Sequence, residues 1–172
     1  MSLDKLDNAK TARWMIQSKD HSCSDIWLGA LTEMFRDIQG INVARLTKQK
    51  DHITLLKAFK KLIKKRKAKL LIIGAGEEKN NIMNYINSNS LTKYVRLIGY
   101  KHNPISYIKL SDVFVLTSKY EGLPNVLLEA QSQKKYILSS SCPSGPKEIL
   151  MNGKYGDLFK VKDDEQLFRL LL

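Results

Sequence analysis

Two glutamates, Glu121 and Glu129, lie eight positions apart in the stretch SKYEGLPNVLLEAQ, astride a Gly-Leu-Pro-Asn step. A carboxylate accepts hydrogen bonds from two neighbouring hydroxyls, the pattern that a hexose or a ribose diol presents. Pro124 suits a first helical turn, where its missing N–H costs nothing, and Gly122 permits an unusual backbone turn before it. The N–H groups left free at such a helix start form an anion site. Glu129, about five residues into the helix, then stands roughly 7 to 8 Å along its axis at about 1.5 Å per residue. That reach matches the separation between a phosphate at the helix tip and a nucleoside's sugar. One motif therefore has the groups for a hexose at Glu121, phosphates at the tip and a ribose at Glu129. Either glutamate taken alone reads better as the solvent-facing residue of an amphipathic helix.

A second group is cationic. In RLTKQKD, Arg45, Lys48 and Lys50 crowd one loop, enough to neutralise a diphosphate, Arg as a two-pronged donor and Lys as a point charge. Basic loops are common, so this signal is weak on its own. GAGEEKN resembles the start of a dinucleotide fingerprint at Gly74 and Gly76. Its third glycine is missing, and Glu77 and Glu78 stand where phosphates would be repelled, so a tight turn with close backbone packing is the better reading than NAD binding. The three histidines (His21, His52, His102) form no metal-binding pair, and two cysteines, Cys23 and Cys142, give neither zinc spacing nor a disulfide framework.

These groups need elements to hold them. With 172 residues, 43% hydrophobic and 27% charged, the chain has the composition of an ordinary soluble domain with a real core. No apolar run reaches 18 residues, and the acid-bearing N-terminus lacks the apolar region of a secretory signal. Buried strands are predicted at 41–46, 69–76, 94–100, 112–118 and 135–140, with YGDLFKV adding a sixth at the edge. Helices fall between them, the first from about Asp51, whose side chain is expected to cap it, and later ones near Pro104, Pro124 and Pro146. This rhythm predicts an α/β, Rossmann-like parallel sheet with helices on both faces over residues 41–172. Residues 1–40 read as a helical extension, with Ser24 as cap, Trp27, Leu31, Phe35 and Ile38 at helical spacing and Gly40 as terminator.

The net charge of +12 gathers in KAFKKLIKKRKAK, where lysines lie opposite an apolar stripe of Leu55, Leu56, Phe59, Leu62 and Ile63. A solvated helix face is the bland reading. The functional one is attraction to an anionic membrane leaflet or a phosphorylated substrate. Nucleic acid is not expected, because no aromatic-basic interleaving accompanies the charge.

Taken in order, ARLTKQKD, LLIIGAGEEKNNI, VRLIGYKHNPISYIKLSDVFVLTSKYEGLPNVLLEAQ, SSSCPSGPKEIL and GKYGDLFKVKD resemble the C-terminal, donor-binding domain of family 4 (group 1) glycosyltransferases over about residues 41–170. The E-x7-E motif, the R-x4-K loop and GPKEIL occur in the family's order on the predicted loops. The resemblance implies one half of a GT-B fold and a retaining, metal-independent transfer from a nucleotide-sugar. On that basis Arg45 and Lys50 match the pair that stabilises the departing diphosphate, and Glu121 the group on the donor sugar. Glu129 matches the ribose contact. Gly122, Leu123, Pro124 and the adjoining Asn125 match the segment against sugar and phosphates, and Gly99 and Tyr100 the strand end beside the base. Fixed positive charge at the leaving oxygen suits such chemistry.

Departures are Ala44 before the arginine, where glycine is usual, and Ser141, where relatives often carry aspartate. No acceptor domain fits into the first 40 residues, and the family's C-terminal helix is expected to be cut off at Leu172. The resemblance thus implies a cytoplasmic chain, peripheral at the inner membrane face. It would carry a hexosyl or N-acetylhexosaminyl donor, UDP-linked, toward a glycan or lipid-linked acceptor, without metal or other cofactor. A separate chain would supply the missing half. A non-catalytic nucleotide-sugar-binding or partner-binding module is the alternative.

Overall fold

The computed structural model describes residues 38–172. Six strands are present there: β1 (Ile38–Val43), β2 (Lys69–Ile73), β3 (Val95–Leu97), β4 (Val113–Leu116), β5 (Tyr136–Ser140) and β6 (Asp157–Phe159). All pair in parallel, in the spatial order β3-β2-β1-β4-β5-β6. The chain winds outward from β1 through β2 and β3, then returns to the other side of β1 with β4. Such a reversal opens a crevice at the carboxyl ends of the two diverging strands, the place where open parallel sheets bind ligands. The expected Rossmann-like class is the one observed, with the sixth strand at the edge.

Helices α1 (His52–Leu62), α2 (Lys79–Ser88), α3 (Ile105–Leu110), α4 (Asn125–Ser132), α5 (Pro146–Ile149) and α6 (Asp164–Leu171) cover the sheet. Helix α1 packs on α2 and α6, whereas α4 packs on α3 and α5. The strands alternate between these two groups. Leu70, Ile72, Val115 and Leu138 join the cluster of Leu55, Phe59 and Leu62 from α1, while Leu71, Ile73, Phe114 and Leu116 are as deeply buried outside it. Both faces of each central strand are thus apolar, as a doubly covered sheet requires. Truncating Phe59, 2% exposed, to alanine would cost about 3 to 5 kcal/mol.

Three local expectations change. Ile38 and Gly40 belong to β1 rather than to a preceding helix, because Gly40 pairs with both Leu70 and Val113 and strand pairing on two sides overrides helical spacing. The remaining residues of the predicted N-terminal helices lie outside the described residues. Asp51 does precede α1, but in a left-handed conformation (φ 47°), and its carboxylate accepts from the Thr54 hydroxyl at 2.8 Å instead of from a backbone N–H. Finally, α6 has no counterpart in the sequence reading, although Asp163 caps it by accepting from the Gln166 N–H at 2.8 Å. An Asp three residues before Gln, ahead of Leu167 and Phe168, is the signal that was available.

Candidate functional site

The loops that leave β1 and β4 meet across the crevice. The Lys50 ammonium lies 2.5 Å from Glu121 Oε1, with the two side chains 14% and 7% exposed. The Ser118 hydroxyl donates to the same oxygen at 2.5 Å. Glu121 Oε2 has no hydrogen-bond partner among the described residues. Charge-assisted contacts of this kind are the strong ones, and low exposure limits their screening. Backbone and side-chain bonds fasten the loops further. Thr117 donates its hydroxyl to the Lys50 carbonyl (2.9 Å), Lys119 N–H donates to the Gln49 carbonyl (2.8 Å) and the Gln49 amide donates to the Tyr120 carbonyl (2.8 Å).

The loop after β5 supports this arrangement from the other side. Ser140 donates to the Ser118 carbonyl and Ser144 to the Glu121 carbonyl, each at 2.6 Å. Gly145 adopts φ +78°, and a Cβ there would strike the Gly122 carbonyl and lie 2.6 Å from the Pro124 ring. Only glycine fits both the conformation and the space. Burial, followed by the nearby Glu121 charge, raises the Cys142 thiol pKa, so this cysteine stays a neutral thiol.

Other candidates occupy the same edge with less support. Arg45 is exposed and makes no ion pair among the described residues; Lys48 is exposed as well. Ala44 has no positive φ, so the usual glycine is not required for this loop. Its carbonyl crowds Gly74, and the Leu46 carbonyl crowds Gly76, as expected for glycines serving close backbone approach. Gly99 accepts from Gly74 N–H at 2.9 Å, which ties the β3 end to the β2 loop, and Tyr100 beyond it is 69% exposed. At α4, Pro124 is buried, Leu123 and Asn125 are exposed and Glu129, the fifth helical residue, is half-buried.

Two expectations for this motif are revised. Gly122 has no positive φ, and a Cβ on it would meet open space; the conformationally demanding glycine is Gly145. The α4 tip is also less open than predicted, because Asn125 N–H bonds the Leu123 carbonyl and Leu127 N–H bonds the Pro124 carbonyl. Val126 N–H is the remaining donor of that turn without an acceptor among the described residues.

Sequence reasoning missed the hydroxyls that hold the motif: Thr117, Ser118, Ser140 and Ser144. Thr117, Ser118 and Ser140 are fully buried at strand ends, where an unpaired hydroxyl would be costly. Polar residues closing an apolar strand were the signal. His52, at the start of α1, is 2% exposed with neither ring nitrogen hydrogen-bonded, and burial lowers its pKa from 6.5 to about 4. Among the described residues no His, Cys, Asp or Glu cluster is arranged to hold a metal, and no helix is long and apolar enough to cross a membrane.

The chain as a whole has counterparts among known proteins. Residues 36–172 match the family model of glycosyl transferases group 1, and the chain belongs to that family. An uncharacterized glycosyltransferase of Methanocaldococcus jannaschii is 41% identical over 134 residues, covering 70% of this chain and 33% of its own. A Campylobacter jejuni N-acetylgalactosaminyltransferase, whose name specifies a diphospho-undecaprenol-linked acceptor, is 30% identical over 129 residues, covering 75% and 35%. This chain thus spans about a third of the length of these relatives. Among solved structures, the C-terminal domain of a group 1 glycosyl transferase from Francisella tularensis superposes with a TM-score of 0.69 at 22% identity, covering 81% of this chain and 77% of that one. Anabaena HepE, solved with UDP and glucose, gives a TM-score of 0.73 at 18% identity, covering 87% and 42%. These likenesses are ones of fold.

Proposed function

We propose that this chain is the donor-binding part of a retaining group 1 glycosyltransferase. It would hold a nucleotide-diphosphate sugar, UDP-linked by preference, for transfer of a hexosyl or N-acetylhexosaminyl group to a glycan or lipid-linked acceptor. The observation that carries this reading is the Lys50–Glu121 contact across the switch-point crevice, with one glutamate oxygen left unbonded. Arg45 and Lys50 supply positive charge for the diphosphate, and Val126 N–H the remaining donor at the helix tip. Fixed cations of this kind stabilise a leaving diphosphate without a metal ion. Glu121 addresses the sugar and Glu129 the ribose; Tyr100 and Gly99 border the base. The open space beside Gly122 leaves room for a ligand against the backbone. Calorimetric titration with UDP, GDP and several nucleotide-sugars tests the reading, and UDP-linked sugars should give saturable heat that survives a chelator. A folded sample that releases no heat with any of them would defeat it.

The partner most compatible with the charge is an anionic leaflet, with the protein peripheral at the cytoplasmic membrane face. Helix α1's own lysines are partly committed: Lys60 donates to Asn89, and Lys61 bridges Asp164 and Glu165 at 2.7 and 2.6 Å. Lys64, Lys65 and Lys67, just beyond the helix, are exposed. Reversing these three charges should lower sedimentation with phosphatidylglycerol vesicles, and unchanged sedimentation would remove the leaflet from the proposal.

A further inference from the structure

We infer that Glu121 is an internal competitor for the diphosphate's cation, so that the site distinguishes a sugar-bearing nucleotide from a bare diphosphate. The inference rests on the donor-site reading above and adds a sign to it. Among the described residues Lys50 has one acidic partner, Glu121 Oε1 at 2.5 Å. An ammonium offers three donors, and a carboxylate and a phosphate compete for them. In the free chain the carboxylate holds the ammonium. A diphosphate that recruits Lys50 must draw it away from Oε1 or share it.

Glu121 then loses part of its neutralisation where its side chain is 7% exposed and water compensates poorly. The Ser118 hydroxyl remains on Oε1, and Ser118 itself is held through its carbonyl by Ser140. Little water reaches Oε2, so further compensation falls chiefly to the ligand. A sugar hydroxyl donating to the unbonded Oε2 supplies it; a bare diphosphate has no donor to offer. The ion pair therefore weakens diphosphate alone more than it weakens the diphosphate-linked sugar. An ordinary contact residue would behave differently, since its removal weakens or leaves unchanged every ligand. Removing this charge should strengthen the ligand that lacks the sugar. For a transferase the bare diphosphate is the product, so the same contact favours its departure.

Glu121→Gln tests this, because it removes the charge while keeping the shape and an acceptor for Ser118. The full chain is titrated with inorganic pyrophosphate, UDP and a panel of UDP-linked sugars. Pyrophosphate and UDP should bind about threefold to tenfold tighter to the variant, the range that a partly buried ion pair controls. The preference for the best UDP-sugar over UDP should fall by at least that factor. In a Lys50→Met background the same substitution should change pyrophosphate affinity less than about twofold, since the cation is gone. Thermal unfolding checks that the variants are folded, and Glu121→Ser replaces the Gln variant should that one fail. Unchanged or weaker pyrophosphate and UDP binding in a folded variant overturns the inference and leaves the site reading standing. If the unaltered chain binds neither diphosphates nor nucleotide-sugars, the site reading falls and the inference falls with it.

Discussion

The two edges of the sheet carry charge in opposite styles. At the carboxyl edge, acids and bases alternate from loop to loop: Arg45 to Lys50 with Asp51, Glu77 and Glu78 with Lys79, Lys119 with Glu121, Lys147 with Glu148. At the amino edge, the connection after α1 carries Lys64, Lys65, Arg66 and Lys67 and the one after α4 carries Lys134 and Lys135. Asp112 feels Lys135 and Arg66, which oppose the rise that burial gives its pKa. The run Lys64 to Lys67, which first draws the eye, is exposed, and within it Arg66 donates to the Leu172 carbonyl. At the carboxyl edge the Lys50–Glu121 pair is bolted in place by hydroxyls and backbone, while Arg45, Lys48, Glu77, Lys79, Lys147 and Glu148 around it are exposed. What sets the candidate site apart is the crossed, buried polar contact between its loops rather than an accumulation of one sign.

This contrast can be broken most forcefully at Gly145. Gly145→Ala should destabilise the fold by about 3 kcal/mol, combining a left-handed alanine with a clash against Gly122 and Pro124. Denaturant unfolding would reveal it, and a loss under about 1 kcal/mol would show that the loops are not wedged as described. Next comes acid. His52 titrates near 6.5 when unfolded and about 4 when folded, chiefly through burial. The unfolded chain therefore binds the proton first, so stability present above pH 6.5 is lost as pH falls toward 4 and levels off below. Between pH 7 and 5 the loss should be about 2 kcal/mol. His52→Leu should flatten that slope in parallel unfolding titrations.

Smaller effects concern binding. Lys50→Ala should weaken UDP about tenfold, equal to about 1.4 kcal/mol, in calorimetry. Reversing Lys64, Lys65 and Lys67 should change UDP affinity less than about twofold, because charges farther off than a Debye length of about 8 to 10 Å are screened. A larger change there would erase the distinction between the edges.

Much of this architecture was legible in the sequence because burial on both faces writes apolar runs such as LLII and VFVL directly into the chain. The candidate site's charged members, Lys50 and Glu121, were also singled out by their motifs, although their direct pairing was not. That pairing depends on β1 and β4 being neighbours, a fact of topology with no local signature. Gly122 and Asp51 were misjudged for a related reason: glycine and aspartate permit several conformations, and tertiary contacts chose among them. Gly145, packed on residues more than twenty positions away, could be demanded only by the folded loops. Helix α6 was missed although its Asp163–Gln166 cap is local.

The central position of β1 also has a consequence in time. Its first partner, β2, ends at Ile73, but its second, β4, begins only at Val113. At about 5 to 20 residues per second of synthesis, the 39 residues between them take about 2 to 8 s. Throughout that interval one side of β1 offers bare amide and carbonyl groups to any passing strand. The crevice of the candidate site thus lies, on the ribosome, at the last open seam of the sheet's middle.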